Sequence, residues 1–139
     1  MNGNDTQLRV LDEVDLGAAD IAAWSAASSP TELVSLYLPT HRAGREVTQD
    51  PVLFRRLVAS AAEEVTGGEI LTAAAGLVDD REFWSHGSAG LAVLAGADGT
   101  TAIRLSDPTP ELTIVSDRFH LKPLMACLLY TSDAADDRT

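Results

Sequence analysis

One short apolar run, Leu33-Val34-Ser35-Leu36-Tyr37-Leu38, constrains the fold more than any other segment. It is nearly continuous rather than alternating, and Pro39 stops it. An alternating strand can leave one face in water, but a run apolar on both faces belongs inside a sheet. It predicts a buried central strand. The polar stretch Pro39-Thr40-His41-Arg42-Ala43-Gly44-Arg45-Glu46 that follows predicts a loop with a glycine hinge.

Around that strand the periodicity is helical. Asp50-Pro51 opens the best helix in the chain, with Asp50 placed to cap it and Pro51 suited to the first turn, where its missing N–H is not needed. Phe54, Leu57, Val58, Ala61 and Val65 form an apolar stripe at helical spacing, and Arg56, Ala59 and Glu63 lie opposite. Thr66-Gly67-Gly68 stops the helix. Upstream, Asp15 predicts an N-cap for a helix to about Ala27. Val14, Ala18, Ile21 and Ser25 share one side of it, Trp24 flanks them, and Ser28-Ser29-Pro30 ends it. Ile70, Leu71, Ala74, Leu77 and Val78 mark another helix, and Asp79 predicts the cap of a further turn carrying Phe83 and Trp84. Strands are expected at Gly90 to Ala95, Thr101 to Leu105 and Leu112 to Val115, the first two joined by a turn at Gly96-Ala97-Asp98-Gly99. Phe119-His120-Leu121-Lys122-Pro123-Leu124 reads as a connector leading out of the domain, which would expose Leu121, Leu124 and Met125. The order predicts one α+β domain, a small mixed β-sheet with helices packed on it.

Composition narrows the function. The 139 residues are 45% hydrophobic and 22% charged, as in ordinary globular domains, so disorder, collagen and disulfide scaffolds are excluded. The single cysteine, Cys127, permits neither an intrachain disulfide nor a cysteine metal cluster. A formal charge of −11 argues against nucleic-acid binding by the domain as a whole. The polar first seven residues do not form a signal peptide, and no stretch approaches the roughly 20 apolar residues that span a bilayer, so a cytoplasmic protein is expected.

The last residues have a separate origin. Cys127-Leu128-Leu129-Tyr130-Thr131-Ser132-Asp133-Ala134-Ala135-Asp136 matches, residue for residue, one reading frame of the transposase adapter used to build sequencing libraries. The expected organisation is therefore a lead-in at 1–14, a domain at 15–126 and a non-native tail at 127–139. Removing Asp133, Asp136, Asp137 and Arg138 with that tail changes the formal charge from −11 to −9.

Motifs for chemistry are sparse. His41, His86 and His120 stand in no His-x-x-x-His or His-x-Glu spacing, so no metal is expected, and no glycine-rich nucleotide loop is present. Asp79-Asp80-Arg81-Glu82 fits the acidic first turn of a helix. Ser85 and Ser88 flank His86 without a nucleophile elbow. One segment departs from the acidic balance: residues 41–56 carry Arg42, Arg45, Arg55 and Arg56 against Glu46 and Asp50. Arginines on a loop and an adjoining first helical turn suit phosphate contacts.

Three of these motifs occur together in a known family. Val34-Ser35-Leu36-Tyr37-Leu38-Pro39-Thr40-His41-Arg42 followed by Gln49-Asp50-Pro51, then Phe83-Trp84 leading into Gly90-Leu91-Ala92-Val93, then Asp117-Arg118-Phe119-His120-Leu121-Lys122-Pro123-Leu124 resemble the N-terminal domain of the bacterial archaeo-eukaryotic release factor-like proteins, most of all their third family. The resemblance spans Asp15 to Met125. It implies a longer parent with domains similar to the later domains of release factors and of the rescue factor Pelota. It also implies a ribosome-associated role in rescue, termination or hibernation. Carried over, it places Arg42, Arg45, Arg55, Arg56 and His41 near ribosomal RNA, and makes Phe119 to Leu124 the link to the next domain. The peptide-releasing Gly-Gly-Gln is not found; Gly67-Gly68-Glu69 lacks the glutamine. No catalytic residue, cofactor, membrane or small-molecule substrate is expected. Two alternatives are an acidic protein-interaction domain that regulates a partner, and a small hydrolase in which His41, Asp117 or His120 converge in one pocket. Sequencing reads that cross the Ala126 codon in the source genome are expected to continue into release factor-like coding sequence; a native Cys-Leu-Leu-Tyr continuation overturns the adapter assignment.

Overall fold

A computed structural model describes residues 8–27, 32–66, 68–96 and 99–128. The central strand is where the apolar run predicts it. Strand β1 is Leu8–Asp12, and β2 is Leu33–Pro39, buried at every position but Pro39. Strand β3 is Gly90–Gly96, β4 is Gly99–Leu105 and β5 is Leu112–Ser116. They form one mixed sheet in the order β1-β4-β3-β2-β5. β1 lies parallel to β4, and the other three pairings are antiparallel. β5 does not extend the β3–β4 hairpin. It crosses to the far side of β2, so the apolar run acquires a hydrogen-bonded neighbour on each edge.

Helices cover both faces. Helix α1 is Ala18–Ala26, α2 is Asp50–Glu64, α3 is Thr72–Leu77 and α4 is Arg81–Ser85; residues 122–128 form a further helical segment. Strand alternation sends Val34, Leu36 and Leu38 to one face, where they meet Phe54, Leu57, Val58 and Ala61 of α2, Ala74 and Leu77 of α3, and Phe83 of α4. Tyr37, Ala92, Leu94, Ile103 and Leu105 point to the other face and meet Ile21 and Trp24 of α1 with Phe119, Leu121 and Leu124. Arg56, Ala59 and Glu63 are exposed, as the α2 stripe requires.

Three local expectations change. Residues 8–14 contain β1, whose backbone is satisfied by β4 although its sequence shows no strong apolar alternation. α1 starts at Ala18, not after Asp15. Asp20 reaches back to accept the Gly17 N–H at 3.1 Å, while the Asp15 carboxylate accepts the Asp12 N–H in a separate 3-10 turn. Val14 therefore lies outside the helix and is 89% exposed. The cap of α4 is Asp80, one residue after Asp79, and its Oδ1 accepts the Phe83 N–H at 3.0 Å. Ser28, Ser29, Pro30, Gly67, Ala97 and Asp98, named above as helix stops and turn residues, lie outside the described residues, as do residues 1–7 and 129–139.

The segment read as an exit connector folds back on the sheet. The Ser35 hydroxyl accepts the His120 N–H at 2.8 Å, and the Tyr37 hydroxyl donates to the His120 carbonyl. Leu124 is fully buried instead of exposed, while Leu121 and Met125 are half-buried and Lys122 is exposed. Cys127, three residues after Leu124 on the same helical face, is buried too. Burial pushes its thiol pKa up to about 11, helped by the carboxylates of Glu13 and Asp107. Leu124→Ala is expected to cost about 2–5 kcal/mol of unfolding free energy in urea titration; a loss below about 1 kcal/mol means that this segment does not complete the core.

Candidate functional site

β2 delivers its end to the site. Pro39 halts the strand, and the Thr40 N–H bonds the Ala89 carbonyl at 3.0 Å. The Thr40 hydroxyl donates to the Ser88 carbonyl at 2.7 Å. The chain then leaves the sheet through His41 to Gly44. Gly44 adopts φ 97°, a left-handed value that glycine takes without strain, and turns the chain into a 3-10 segment, Arg45–Gln49, that runs straight into α2.

Asp50 behaves differently from the expected cap. It is the first residue of α2, and its carboxylate points back to the end of β2. Oδ2 accepts the His41 backbone N–H at 2.8 Å, and Oδ1 lies 2.8 Å from His41 Nδ1. The carboxylate is 5% exposed and the imidazole 43% exposed. An acceptor at that distance requires Nδ1 to carry the hydrogen, which leaves Nε2 for other partners. The clamp outcompetes capping because one carboxylate satisfies two donors there, one of them a backbone N–H that the strand no longer serves.

A second loop closes against the first. Gly87 follows His86, and a Cβ at position 87 would stand 2.7 Å from both the His41 and Arg42 carbonyl oxygens, so only glycine permits this approach. The two loops enclose a small cleft lined by His41, Asp50, His86, Ser88, Trp84 and Arg104. It runs next to a wider hollow of about 320 Å³ that shares His86, Phe83 and Arg104 and adds Val10, Asp80 and Glu82. His86 Nδ1 lies 3.1 Å from the Glu82 carbonyl and 3.2 Å from Ser85 Oγ. Arg104 stacks 4.8 Å over the Phe83 ring, donates to the Phe83 carbonyl at 3.1 Å and pairs with Asp12 at 3.5 Å. Trp84 is pinned by Nε1 donating to the Leu77 carbonyl and by the rings of Phe54 and Phe83 at 5.7 and 4.8 Å. The wall of the cleft is therefore rigid.

The residues singled out from sequence divide into two groups. His41, Arg42, Arg45, Arg55 and Arg56 are all exposed. Arg42 donates to the Ser106 carbonyl at 3.2 Å, whereas Arg45, Arg55 and Arg56 make no ion pair among the described residues. His41 and His120 do not converge. His41 stands at the end of β2 beside α2, and His120 is bonded to Ser35 and Tyr37 on the opposite face of the sheet, with exposed Asp117 nearby in sequence. The hydrolase built on those three residues has no common pocket. Sequence reasoning missed the partner that His41 does have, Asp50, and the cleft that it lines together with His86. The signal for Asp50 was its place nine residues after His41 at a helix start, which also fits capping.

Among the described residues no three His, Cys, Asp or Glu side chains are grouped as a metal site needs. No helix among them is long and apolar enough to cross a membrane. No protein-family profile and no curated protein matches the chain. The resemblance to release factor-like proteins therefore stands on the three quoted motifs.

Asp50→Ala and His41→Ala are each expected to destabilise the fold by about 1–3 kcal/mol. Their double variant should show a coupling above about 0.5 kcal/mol in a urea-based mutant cycle, whereas strictly additive losses would mean that the clamp contributes no pairwise energy.

Proposed function

We propose that the chain is the N-terminal binding module of a release factor-like translation protein, acting at the ribosome in the cytoplasm in a rescue, termination-like or hibernation role. In this reading it meets ribosomal RNA through Arg42, Arg45, Arg55 and Arg56 around His41, and further domains of the parent protein complete the activity. The observation that carries it is the exposure of four arginines along one stretch while Asp50, one of the two carboxylates in that stretch, is withdrawn into the His41 clamp. What faces solvent between Arg42 and Arg56 is then four cations against Glu46. Such an edge can lie along a phosphate backbone although the chain as a whole is acidic.

The way two pieces of the first motif are joined supports this reading. Two separated pieces, the Tyr37-Leu38-Pro39-Thr40-His41-Arg42 strand end and the Gln49-Asp50-Pro51 helix start, are tied by two hydrogen bonds of 2.8 Å. That tie positions the loop bearing Arg42 and Arg45 between rigid elements, the arrangement that binding loops need.

Co-sedimentation of the full-length protein with ribosomes is expected to weaken with salt at a log–log slope of about −3, as four phosphate contacts require. Replacing Arg42, Arg45, Arg55 and Arg56 with Glu should abolish it. Unchanged co-sedimentation of that variant overturns the RNA contact.

A further inference from the structure

We propose that the open edge of β1 takes up an extended peptide as an added strand, and that a lysine or arginine of that peptide enters the hollow beside it. The inference is independent of the RNA-contact reading, because Arg42, Arg45, Arg55 and Arg56 take no part in it.

β1 is one edge of the sheet, and among the described residues β4 is its one strand partner. Alternation of the backbone fixes what its other side offers. The Thr40 N–H bonds the Ala89 carbonyl, so the odd-numbered residues of β3 serve β2 and the even-numbered ones serve β4. In the β3–β4 register Gly90, Ala92 and Leu94 then face Leu105, Ile103 and Thr101, which leaves Thr100, Ala102 and Arg104 to serve β1. Arg9 and Leu11 lie between those residues in the parallel ladder and direct their N–H and C=O groups at β4. Leu8, Val10 and Asp12 direct theirs outward. The Asp12 N–H agrees with this, since it turns to the Asp15 carboxylate at 3.3 Å. Val10 therefore presents an N–H and a C=O that no other described residue occupies, and such a row is what an added strand binds.

The Val10 side chain is 40% exposed and lines the hollow of about 320 Å³ together with Asp80, Glu82, Phe83, His86 and Arg104. A residue of the added strand opposite Val10 projects to the same face of the sheet, and so toward that hollow. Charge selects what can enter. Arg104 is paired with Asp12 at 3.5 Å, whereas Asp80 and Glu82 make no ion pair among the described residues. Two carboxylates beside Val10 and Phe83 suit a cation on a long aliphatic stem, as in lysine or arginine. Arg9, the basic residue of β1, does not oppose it, because Asp20 holds Arg9 at 3.4 Å on the α1 side of the sheet. The formal charge of −11 attracts the same peptide at long range. A second copy of the chain would bring acidic surface to this acidic edge, so a basic peptide is the favoured occupant.

The test titrates the full-length protein with end-blocked peptides Thr-Val-Lys-Val-Thr and Thr-Val-Glu-Val-Thr and follows amide hydrogen exchange at Val10. The lysine peptide is expected to bind about tenfold tighter, with the difference shrinking in high salt, and to slow exchange of the Val10 N–H. Val10→Pro removes that outward N–H and no bond to β4, so it should melt cooperatively and lose the peptide. Glu82→Lys should reverse the preference in favour of the glutamate peptide, which loss of folding cannot do. Absence of binding, equal affinity for the two peptides, or binding that leaves Val10 exchange unchanged overturns the proposal. Val10 protection that grows with protein concentration in the absence of peptide assigns the edge to a second copy and also overturns it. Ribosome co-sedimentation reads the arginine edge separately, so the two proposals fail independently.

Discussion

Burial of β2 on both faces is the constraint on which the rest depends. A strand with Val34, Leu36 and Leu38 on one side and Tyr37 on the other must be sheltered twice. The chain answers with α2, α3 and α4 on one side, and α1 with the 122–128 helix on the other. The same demand accounts for the topology. β5 leaves its hairpin neighbours and pairs on the outer edge of β2, so the apolar run has no open backbone. Tyr37 and Ser35 then recruit the His120 backbone, which brings the last helix onto the sheet. Burial pushes the Tyr37 phenol well above its ordinary pKa, as expected for a hydroxyl used as a structural donor.

Most of the framework is legible in the sequence because it is written in periodicity. The β2 run, the α2 stripe and the β3–β4 pair each carry a pattern that one geometry satisfies. β1 is not legible: Leu8-Arg9-Val10-Leu11-Asp12 is an edge strand whose partner, β4, lies more than ninety residues away, and no local signal announces such a pairing. Helix starts slip by one or two residues for a related reason. Asp12, Asp15, Asp20, Asp79 and Asp80 are all credible caps, and which of them serves depends on backbone direction. The final segment reads as an exit because Phe119, Leu121 and Leu124 are spaced for packing without naming their partner, and the partner proves to be the chain's own sheet.

The site is half legible for the same reason. His41 and the arginines attract attention as an island of positive charge, and their exposure needs no tertiary information. Asp50 is misread because one aspartate can serve two purposes at a helix start, and the choice is made by a donor nine residues away. His86 joins the site through Gly87, whose significance lies in the 2.7 Å that a Cβ would leave. No spacing rule reports a contact between loops of this kind.

The clamp also bears on how an acidic chain could carry the RNA-contact edge proposed for it. Charges more than about 8 Å apart are screened from each other at physiological ionic strength. A docked phosphate backbone therefore responds to the charges it touches and weakly to the formal total of −11. Burying Asp50 in a pair with His41 withdraws one of the two carboxylates that lie among the arginines in sequence without changing composition. The total charge acts instead on the approach, where long-range repulsion slows encounter with nucleic acid and disfavours indiscriminate binding. Under the proposed function, such a module would engage RNA only where the geometry brings the Arg42–Arg56 edge into contact. On the same proposal, an isolated domain of this kind would be a poor general binder, and one held at the ribosome by further domains a selective one.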